Sequence, residues 1–376
     1  MRNVWLRFLK LSGRSALLLT VLSAGSTATP SATTQSDIVA PSTVVGLPQS
    51  TVPSTTPETT AVTGVVPDLD QEGLAAPIWD DHDYGEPTFA ASLGDIAATG
   101  AEWVTLVPTW YQSDPESSAL FAERPGRTST DEALVVAIDG AQALGLQVML
   151  KPHLDLVDGG YRGMIEPASV EEWFDSYREV LLGYARLAQM HDVAQLVVGT
   201  ELAGVSGETE RWRDLIADVR QEFSGVVTYA ANHDEFISVE FWDDLDLIGV
   251  DAYFPLADQP TTDGDQLITA WGPIVDELGR IAAEFDLRIV FTEIGYPSQE
   301  GAVVEPFNPF ASTVPSNAEQ EVALESMLSA VDGQPWFAGF HWWMWLTGES
   351  PEERALGYMP QGKPVEAILE RRWAEP

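Results

Sequence analysis

From about residue 70 onward, short runs of apolar, β-favouring residues alternate with longer segments suited to helices. Seven of these runs are clear, and an eighth, weaker one lies near Leu74–Trp79. The clear runs are Trp103–Pro108, Gln147–Pro152, Gln195–Thr200, Val226–Ala230, Leu247–Val250, Arg288–Thr292 and Ala338–Trp342. Apolar runs separated by helices are typical of parallel strands that are buried on both faces. Eight successive strand–helix units predict an α/β fold, namely a closed (β/α)8 TIM barrel.

Several helix starts carry a capping box, in which Ser, Thr, Asp or Asn is followed three residues later by Glu or Gln. The pairs are Ser129 with Glu132, Ser169 with Glu172, Ser316 with Glu319, and Asn317 with Gln320. The last two pairs are alternative registers of one start. The boxes therefore predict three helices, each of which begins between two of the apolar runs.

The first residues have the pattern of an export signal. Four basic residues precede or border a short apolar run at 16–24, and Ser26-Thr27-Ala28 offers the small residues of a cleavage site. The apolar run is shorter than the roughly 20 residues that cross a bilayer. We therefore expect residues 1–28 to be a signal peptide, the mature protein to be secreted, and no membrane association after cleavage. A retained N-terminal anchor is the alternative.

Residues 29–67 are dominated by Thr, Ser, Pro, Val and Ala, and only Asp37 and Glu58 are charged. Such a segment cannot build a hydrophobic core, so it is predicted to be a disordered linker. The remaining residues, 68–376, are then expected to form a single catalytic domain.

The composition excludes several classes of function. The formal net charge is −39, and the chain has no cysteine. A strongly acidic protein repels nucleic acid, and a chain without cysteine has neither disulfides nor thiolate ligands. The five histidines include no His-x-His pair, and there is no Gly-rich phosphate loop or dinucleotide motif. We expect no metal, no other cofactor and no nucleic acid partner, and we expect the protein to be a monomer.

Two glutamates follow or end apolar strands, Glu201 on the fourth strand and Glu293 on the seventh. Catalytic groups of such barrels lie at the C-terminal ends of the strands, and these two strands face each other across the barrel mouth. One such glutamate is commonly a solvated strand end, whereas a pair favours a functional site. Cleavage of a glycosidic bond needs a proton for the leaving oxygen and a nucleophile or activated water at the anomeric carbon. The pair therefore predicts a glycoside hydrolase.

Longer strings around these residues resemble glycoside hydrolase family 113 over about residues 75–372. The strings are Trp-Val-Thr-Leu-Val-Pro-Thr-Trp-Tyr-Gln at 103–112, Lys-Pro-His-Leu-Asp at 151–155, Val-Gly-Thr-Glu-Leu at 198–202, Asp-Ala-Tyr-Phe-Pro-Leu at 251–256 and Thr-Glu-Ile-Gly-Tyr at 292–296. The resemblance implies a retaining mechanism with Glu201 as acid/base and Glu293 as nucleophile. It also implies an endo-β-1,4-mannanase that cleaves mannan or glucomannan.

Further site residues are expected at the strand ends. Tyr253 is expected to donate a hydrogen bond that orients the nucleophile and keeps it ionised. Trp343 and Trp345 alternate along the eighth strand, so both are expected on one side, where one of them would stack against a sugar ring. The residues expected to bind substrate are Trp110, Tyr111, Lys151, His153, Thr200, Asn232, Trp343 and Trp345. Most of the wider clan has Asn at the position of Thr200, whereas family 113 itself has Thr there, as this chain does. His341 is interpreted as a core histidine with its hydrogen bonds satisfied.

Two other functions stay open on the sequence alone. One is a retaining β-glycosidase or transglycosylase that acts on another neutral polysaccharide. The other is a carbohydrate-binding barrel without catalysis, which the presence of both glutamates disfavours. In each case the expected partner is a neutral β-linked polysaccharide or oligosaccharide, because an acidic protein gives an anionic substrate no attraction.

Overall fold

The computed structural model describes residues 70–79, 84–123, 126–348 and 355–374. The predicted signal peptide and linker, residues 1–67, lie outside these ranges. Within them no helix is long and apolar enough to cross a membrane.

Eleven strands are present in the described residues. They are β1 (Gln71–Pro77), β2 (Trp103–Val107), β3 (Thr109–Gln112), β4 (Leu120–Phe121), β5 (Gln147–Leu150), β6 (His153–Leu156), β7 (Gln195–Thr200), β8 (Val226–Asn232), β9 (Leu247–Asp251), β10 (Ile289–Ile294) and β11 (Phe337–Trp343). Eight of them close a parallel barrel in the order β1-β11-β10-β9-β8-β7-β5-β2. The predicted TIM barrel and all eight predicted strands are confirmed, and the weakest prediction corresponds to β1, which begins at Gln71.

The other three strands form a small sheet, β4-β3-β6, that the sequence analysis did not predict. Strand β3 continues from β2 after Pro108, and β6 continues from β5 after Pro152. Proline has no backbone N–H and therefore interrupts a hydrogen-bonded ladder. Beyond the two prolines the chains still pair with each other in parallel register, from Thr109 with His153 to Gln112 with Leu156. The small sheet is thus an extension of two neighbouring barrel strands on the side of the mouth.

Helices follow most of the barrel strands. They are α1 (Pro87–Ala98), α2 (Asp131–Ala143), α3 (Val170–Met190), α4 (Ala203–Ser206), α5 (Thr209–Glu222), α6 (Gly264–Phe285), α7 (Asn317–Val331) and α8 (Pro364–Trp373). Ser169 and Ser316 cap α3 and α7, as two of the capping boxes predict. The predicted cap of α2 is shifted by one residue: Thr130, not Ser129, accepts a hydrogen bond from the Ala133 N–H.

The main hydrophobic core lies between the barrel and its helices. Five of the thirteen tryptophans are fully buried there, namely Trp173, Trp212, Trp242, Trp271 and Trp342. The barrel interior also contains a polar layer. His341 Nε2 lies 2.9 Å from Gln71 Oε1, and its Nδ1 lies 2.8 Å from Thr105 Oγ1. The interpretation of His341 as a satisfied core histidine is confirmed.

Candidate active site

Both candidate catalytic glutamates lie at the C-terminal ends of barrel strands. Glu201 directly follows β7, and Glu293 is the penultimate residue of β10. The ladder between β9 and β10 is irregular beyond Phe291, where Glu293 comes opposite Asp251. The carboxyl end of β9 therefore supplies neighbours for the Glu293 side chain.

Three side chains surround the carboxylate of Glu293. Lys151 Nζ donates to Oε1 at 2.5 Å, and Tyr253 OH donates to Oε2 at 2.8 Å. His153 Nε2 lies 3.2 Å from Oε1. Burial by itself raises the pKa of Glu293, but the charge of Lys151 and the contact with His153 outweigh burial and lower the pKa to about 2. Glu293 is therefore ionised throughout the neutral and mildly acidic range.

Lys151 is completely buried and joins two carboxylates. Its Nζ also donates to Asp251 Oδ1 at 2.7 Å, and Thr292 Oγ1 donates to the same oxygen at 2.8 Å. The expectation that Lys151 binds sugar hydroxyls is thus corrected, because a buried ammonium needs charge partners and finds them in Asp251 and Glu293. Burial, followed by the charge of Glu293, raises the pKa of Asp251 to about 7.

Glu201 lies in a different electrostatic environment. Burial, together with the negative charge of Asp251, raises its pKa to about 8, although the charge of Arg162 opposes the shift. Glu201 forms a long ion pair with Arg162, whose Nη1 lies 4.0 Å from Glu201 Oε2. Arg162 is more closely paired with Asp155, at 2.7 Å. Glu201 also has a φ of 52°, in the left-handed region, which costs an L-residue about 1–2 kcal/mol. It is therefore held protonated at neutral pH in a strained backbone.

The two carboxyl groups thus have opposite protonation states near neutral pH. One is a proton donor and the other is an ionised nucleophile or base. A pair of carboxyl groups whose environments separate their pKa values is the arrangement that acid/base chemistry at a glycosidic bond requires.

Trp343 lies at the mouth, and Trp345 does not. Trp343 packs in a cluster that includes Tyr253, and its ring stacks on His153 with centroids 5.9 Å apart. Trp345 belongs to the main core and is 5% exposed. The expectation that both tryptophans share one side is wrong, because β11 ends at Trp343 and the alternation of a strand does not continue past it.

The other expected substrate-binding residues occupy different positions. His153 is buried beside Glu293, and burial lowers its pKa to about 4, so the ring is neutral at neutral pH. Thr200 is 1% exposed at the end of β7. Asn232 ends β8, is partly exposed and bonds to Tyr161 OH.

The two aromatic residues of β3 are held by the protein itself. Trp110 is partly buried and donates from Nε1 to Tyr184 OH at 2.8 Å. Tyr111 is 1% exposed, and the guanidinium of Arg127 lies 4.3 Å from its ring centroid. The expected stacking of a sugar on Tyr111 is therefore corrected, since Arg127 occupies a face of a ring that is almost fully buried.

Three residues near the glutamates were missed by the sequence analysis. Asp251 has a recognisable signal, since a buried lysine at a strand end requires a carboxylate partner and Asp251 ends the strand next to Glu293. Arg162 and Tyr161 lie in the loop after β6, where no spacing rule predicts which residue turns towards Glu201. Among the described residues, no group of three or more His, Asp or Glu side chains is arranged to hold a metal ion.

Comparison with known proteins identifies the family. The profile of Glycoside Hydrolase Family 113 matches residues 78–363, a range that contains Lys151, Glu201, Asp251 and Glu293. A search of curated protein sequences finds no significant match.

Solved structures provide a second comparison. The GH113 β-mannanase of Alicyclobacillus acidocaldarius has a TM-score of 0.74 and 30% sequence identity, over 81% of this chain and 97% of its own. A further GH113 β-1,4-mannanase has a TM-score of 0.74 and 26% identity, over 82% of this chain and 99% of its own. The β-glucuronidase of Ruminococcus gnavus shares the fold alone, with a TM-score of 0.55 and 15% identity over 81% of this chain and 50% of its own. The chain therefore belongs to glycoside hydrolase family 113, and the protein is a glycoside hydrolase.

Proposed function

We propose that the protein is a retaining endo-β-1,4-mannanase that cleaves mannan or glucomannan by double displacement. The observation that carries this proposal is the opposite protonation of Glu201 and Glu293 at one barrel mouth. The similarity to GH113 β-mannanases supports the choice of sugar.

In the first step, the ionised carboxylate of Glu293 attacks the anomeric carbon and the bond from that carbon to the leaving oxygen breaks. Glu201 gives its proton to the leaving oxygen, so that the departing sugar leaves as an alcohol. Lys151 and Tyr253 keep Glu293 ionised and oriented before the attack. The product of this step is a glycosyl ester on Glu293.

In the second step, Glu201 acts as a base. It removes a proton from a water molecule whose oxygen attacks the anomeric carbon, and the ester bond to Glu293 breaks. Glu201 is then protonated and Glu293 ionised, as at the start. Two displacements at the same carbon leave its configuration unchanged.

Side chains around the glutamates are proposed to hold the sugar rings. Trp343 offers the flat surface against which a pyranose ring stacks next to Glu293. Asn232 and Tyr161 offer hydroxyl-binding groups on the Glu201 side. Stacking and neutral hydrogen bonds suit an uncharged polymer, and the net charge of −39 gives a polyuronate no attraction.

The decisive experiment measures reducing sugar released from mannan, glucomannan, xylan and β-glucan, and follows the anomeric protons of fresh products by NMR. We expect mannan or glucomannan to be preferred and the β-anomer to appear first. A rapid fall in the viscosity of glucomannan would support endo cleavage. Preference for xylan or β-glucan would overturn the choice of sugar, and an α-anomer as first product would overturn the retaining mechanism.

We further propose that the enzyme is exported, with removal of residues 1–28, and that it is a monomer. The basic residues, short apolar run and small residues at 26–28 support export. N-terminal sequencing of the exported protein should begin at or near residue 29, and an intact Met1 would overturn the proposal. Light scattering during gel filtration should give the mass of one chain.

A further inference from the structure

The backbone of Glu201 is held on both sides of its Cα. Its own N–H donates to Ala230 O at 2.8 Å, and the N–H of the next residue, Leu202, donates to Tyr229 OH at 2.9 Å. These two bonds orient the two peptide planes that flank Glu201. Since the φ of Glu201 is 52°, the planes are held in a conformation that an L-residue does not favour by itself.

Tyr229 is closely packed inside the protein. It belongs to β8, is fully buried, and its ring packs edge-on against Trp212 and Phe241 with centroids 5.3 Å apart in each case. The ring passes so close to β7 that a Cβ on Gly199 would lie 2.6 Å from Tyr229 Cε2. Glycine at position 199 is what allows the tyrosine hydroxyl to reach the end of β7.

The hydroxyl of Tyr229 is itself oriented by a buried carboxylate. It donates to Glu235 Oε1 at 2.6 Å, and the other oxygen, Oε2, accepts the Asn232 N–H at 2.9 Å. Glu235 is 4% exposed. With its proton committed to Glu235, the hydroxyl presents a lone pair to the Leu202 N–H. We call this series of hydrogen bonds, from Glu235 through Tyr229 to Leu202, the β8 relay.

We propose that Tyr229 and Glu235 are positioning residues for the reaction, because the β8 relay holds Glu201 in the left-handed conformation that aims its carboxyl group at the leaving oxygen. The proposal rests on the assignment of Glu201 as acid/base. Neither residue touches the sugar. Without the bond from the Leu202 N–H, the peptide plane after Glu201 can rotate, and the φ of Glu201 can relax towards negative values. The Cα–Cβ bond of Glu201 would then point in a different direction.

The consequence differs between substrates. A natural polymer releases an alkoxide unless Glu201 protonates it, so a misplaced Glu201 slows the first step. A dinitrophenyl glycoside releases a stable phenolate and needs no proton in that step. Hydrolysis of the glycosyl ester again needs Glu201, but azide can attack the ester without a base.

The test is Tyr229→Phe, which keeps the ring and removes only the hydroxyl. Its matched control is Tyr177→Phe, because Tyr177 is also buried and its hydroxyl donates to Val198 O at 2.9 Å on the same strand, β7. The measurements are kcat on mannan or the preferred polymer, the burst rate on the corresponding dinitrophenyl β-glycoside, the effect of azide, and a crystal structure of each variant.

For Tyr229→Phe we expect kcat on polymer to fall at least about tenfold, and by no more than the roughly 10²–10⁴ that acid/base assistance contributes in full. The burst rate should stay within about twofold of wild type. Azide should accelerate turnover of the dinitrophenyl glycoside, and Glu201 should show a changed φ in the crystal. Tyr177→Phe should change none of these. Glu235→Gln, which still offers an oxygen to Tyr229, should lose less activity than Glu235→Leu.

Equal losses on polymer and dinitrophenyl glycoside would overturn the proposal, as would equal losses in the two Tyr→Phe variants. An unchanged Glu201 φ in Tyr229→Phe would overturn it whatever the activity. If wild type cleaves a sugar other than mannose, the proposed substrate fails while the β8 relay is still tested on that sugar. If Glu201→Ala keeps full activity on polymer, the acid/base assignment and the relay both fail.

Discussion

Lys151 Nζ lies 2.5 Å from Glu293 Oε1 and 2.7 Å from Asp251 Oδ1, and the lysine side chain is completely buried. The Lys151 ammonium therefore compensates two buried carboxylates at the carboxyl ends of neighbouring strands. One of these carboxylates is the proposed nucleophile, so the ion pair links the stability of the fold to the ionisation of the site.

Lys151→Met should be strongly destabilising, because it removes the cation that is bonded to both carboxylates. Removal of one partner from a buried pair costs about 3–5 kcal/mol in the free energy of unfolding. The pKa of Glu293 should rise, and the acid limb of kcat/KM should move to higher pH. Denaturant unfolding and a pH–rate profile check both effects. Arg280→Met, which removes exposed ion pairs with Glu277 and Glu284, is the control and should change neither.

Glu293→Ala should abolish turnover of natural and activated substrates alike, because no glycosyl ester can form. Azide or formate should occupy the vacated space and attack from the opposite face, restoring turnover of activated glycosides. The product of this rescue should have an inverted anomeric centre, which NMR detects. A rescued product with retained configuration would contradict the assignment of Glu293.

Glu201→Ala should affect substrates according to their leaving groups. Polymer cleavage should fall by at least about 10²-fold, whereas a dinitrophenyl glycoside should still form the ester on Glu293. Mass spectrometry of the quenched reaction should then show the accumulated glycosyl-enzyme. Absence of any burst with the activated substrate would argue against this role.

Glu201→Gln should stabilise the protein above about pH 4.5, and increasingly so up to about pH 8. The ordinary pKa is near 4.5 and the folded pKa is about 8, so the stabilising contribution is fully present below 4.5 and is lost as pH rises through 8. Each pH unit between these values changes the free energy of unfolding by about 1.4 kcal/mol. Thermal unfolding should show equal stability of variant and wild type at pH 4 and a more stable variant at pH 8. A constant difference at all pH values would contradict the shifted pKa.

Asp251→Asn should move the basic limb of the activity profile to lower pH. Ionised Asp251 raises the pKa of Glu201, so its loss lets Glu201 give up its proton earlier. Thr292→Val is the control, since it removes the 2.8 Å hydrogen bond to Asp251 but leaves the charge in place. A basic limb that is unmoved in Asp251→Asn would show that Asp251 does not set the Glu201 pKa.

The sequence predicts the barrel and the two glutamates well because both depend on local patterns. Apolar runs between helices define parallel strands, and a polar residue after such a run lies at the strand end. Glu201 and Glu293 could therefore be placed at the mouth without knowledge of any contact. The sequence also allowed the expectation that their pKa values differ. It did not give the size of either pKa shift, because the shift depends on burial and on the neighbouring charges.

Other features depend on contacts between residues that are far apart in the chain, which a local sequence pattern cannot predict. Lys151 could be recognised as a residue in need of a partner, but its bonds to Asp251 and Glu293 span 100 and 142 residues of chain. Trp345 could not be separated from Trp343, because the exact end of β11 is set by tertiary contacts. The position of Arg162 depends on the conformation of a loop, and the β8 relay depends on side-chain packing. The spacing of residue types along the sequence predicts neither.

The polar layer inside the barrel has a consequence for how the chain reaches its native state. The contact from His341 to Gln71 joins residues that are 270 positions apart, on the last and first strands of the ring. A slip of one residue in this pairing would turn His341 to the opposite face and remove the imidazole contacts of Gln71 Oε1 and Thr105 Oγ1. The polar contacts of His341 thus favour the correct register between β11 and β1, the strands that close the barrel. Because His341 lies on β11, its contacts with Gln71 and Thr105 form only when β11 joins the barrel next to β1.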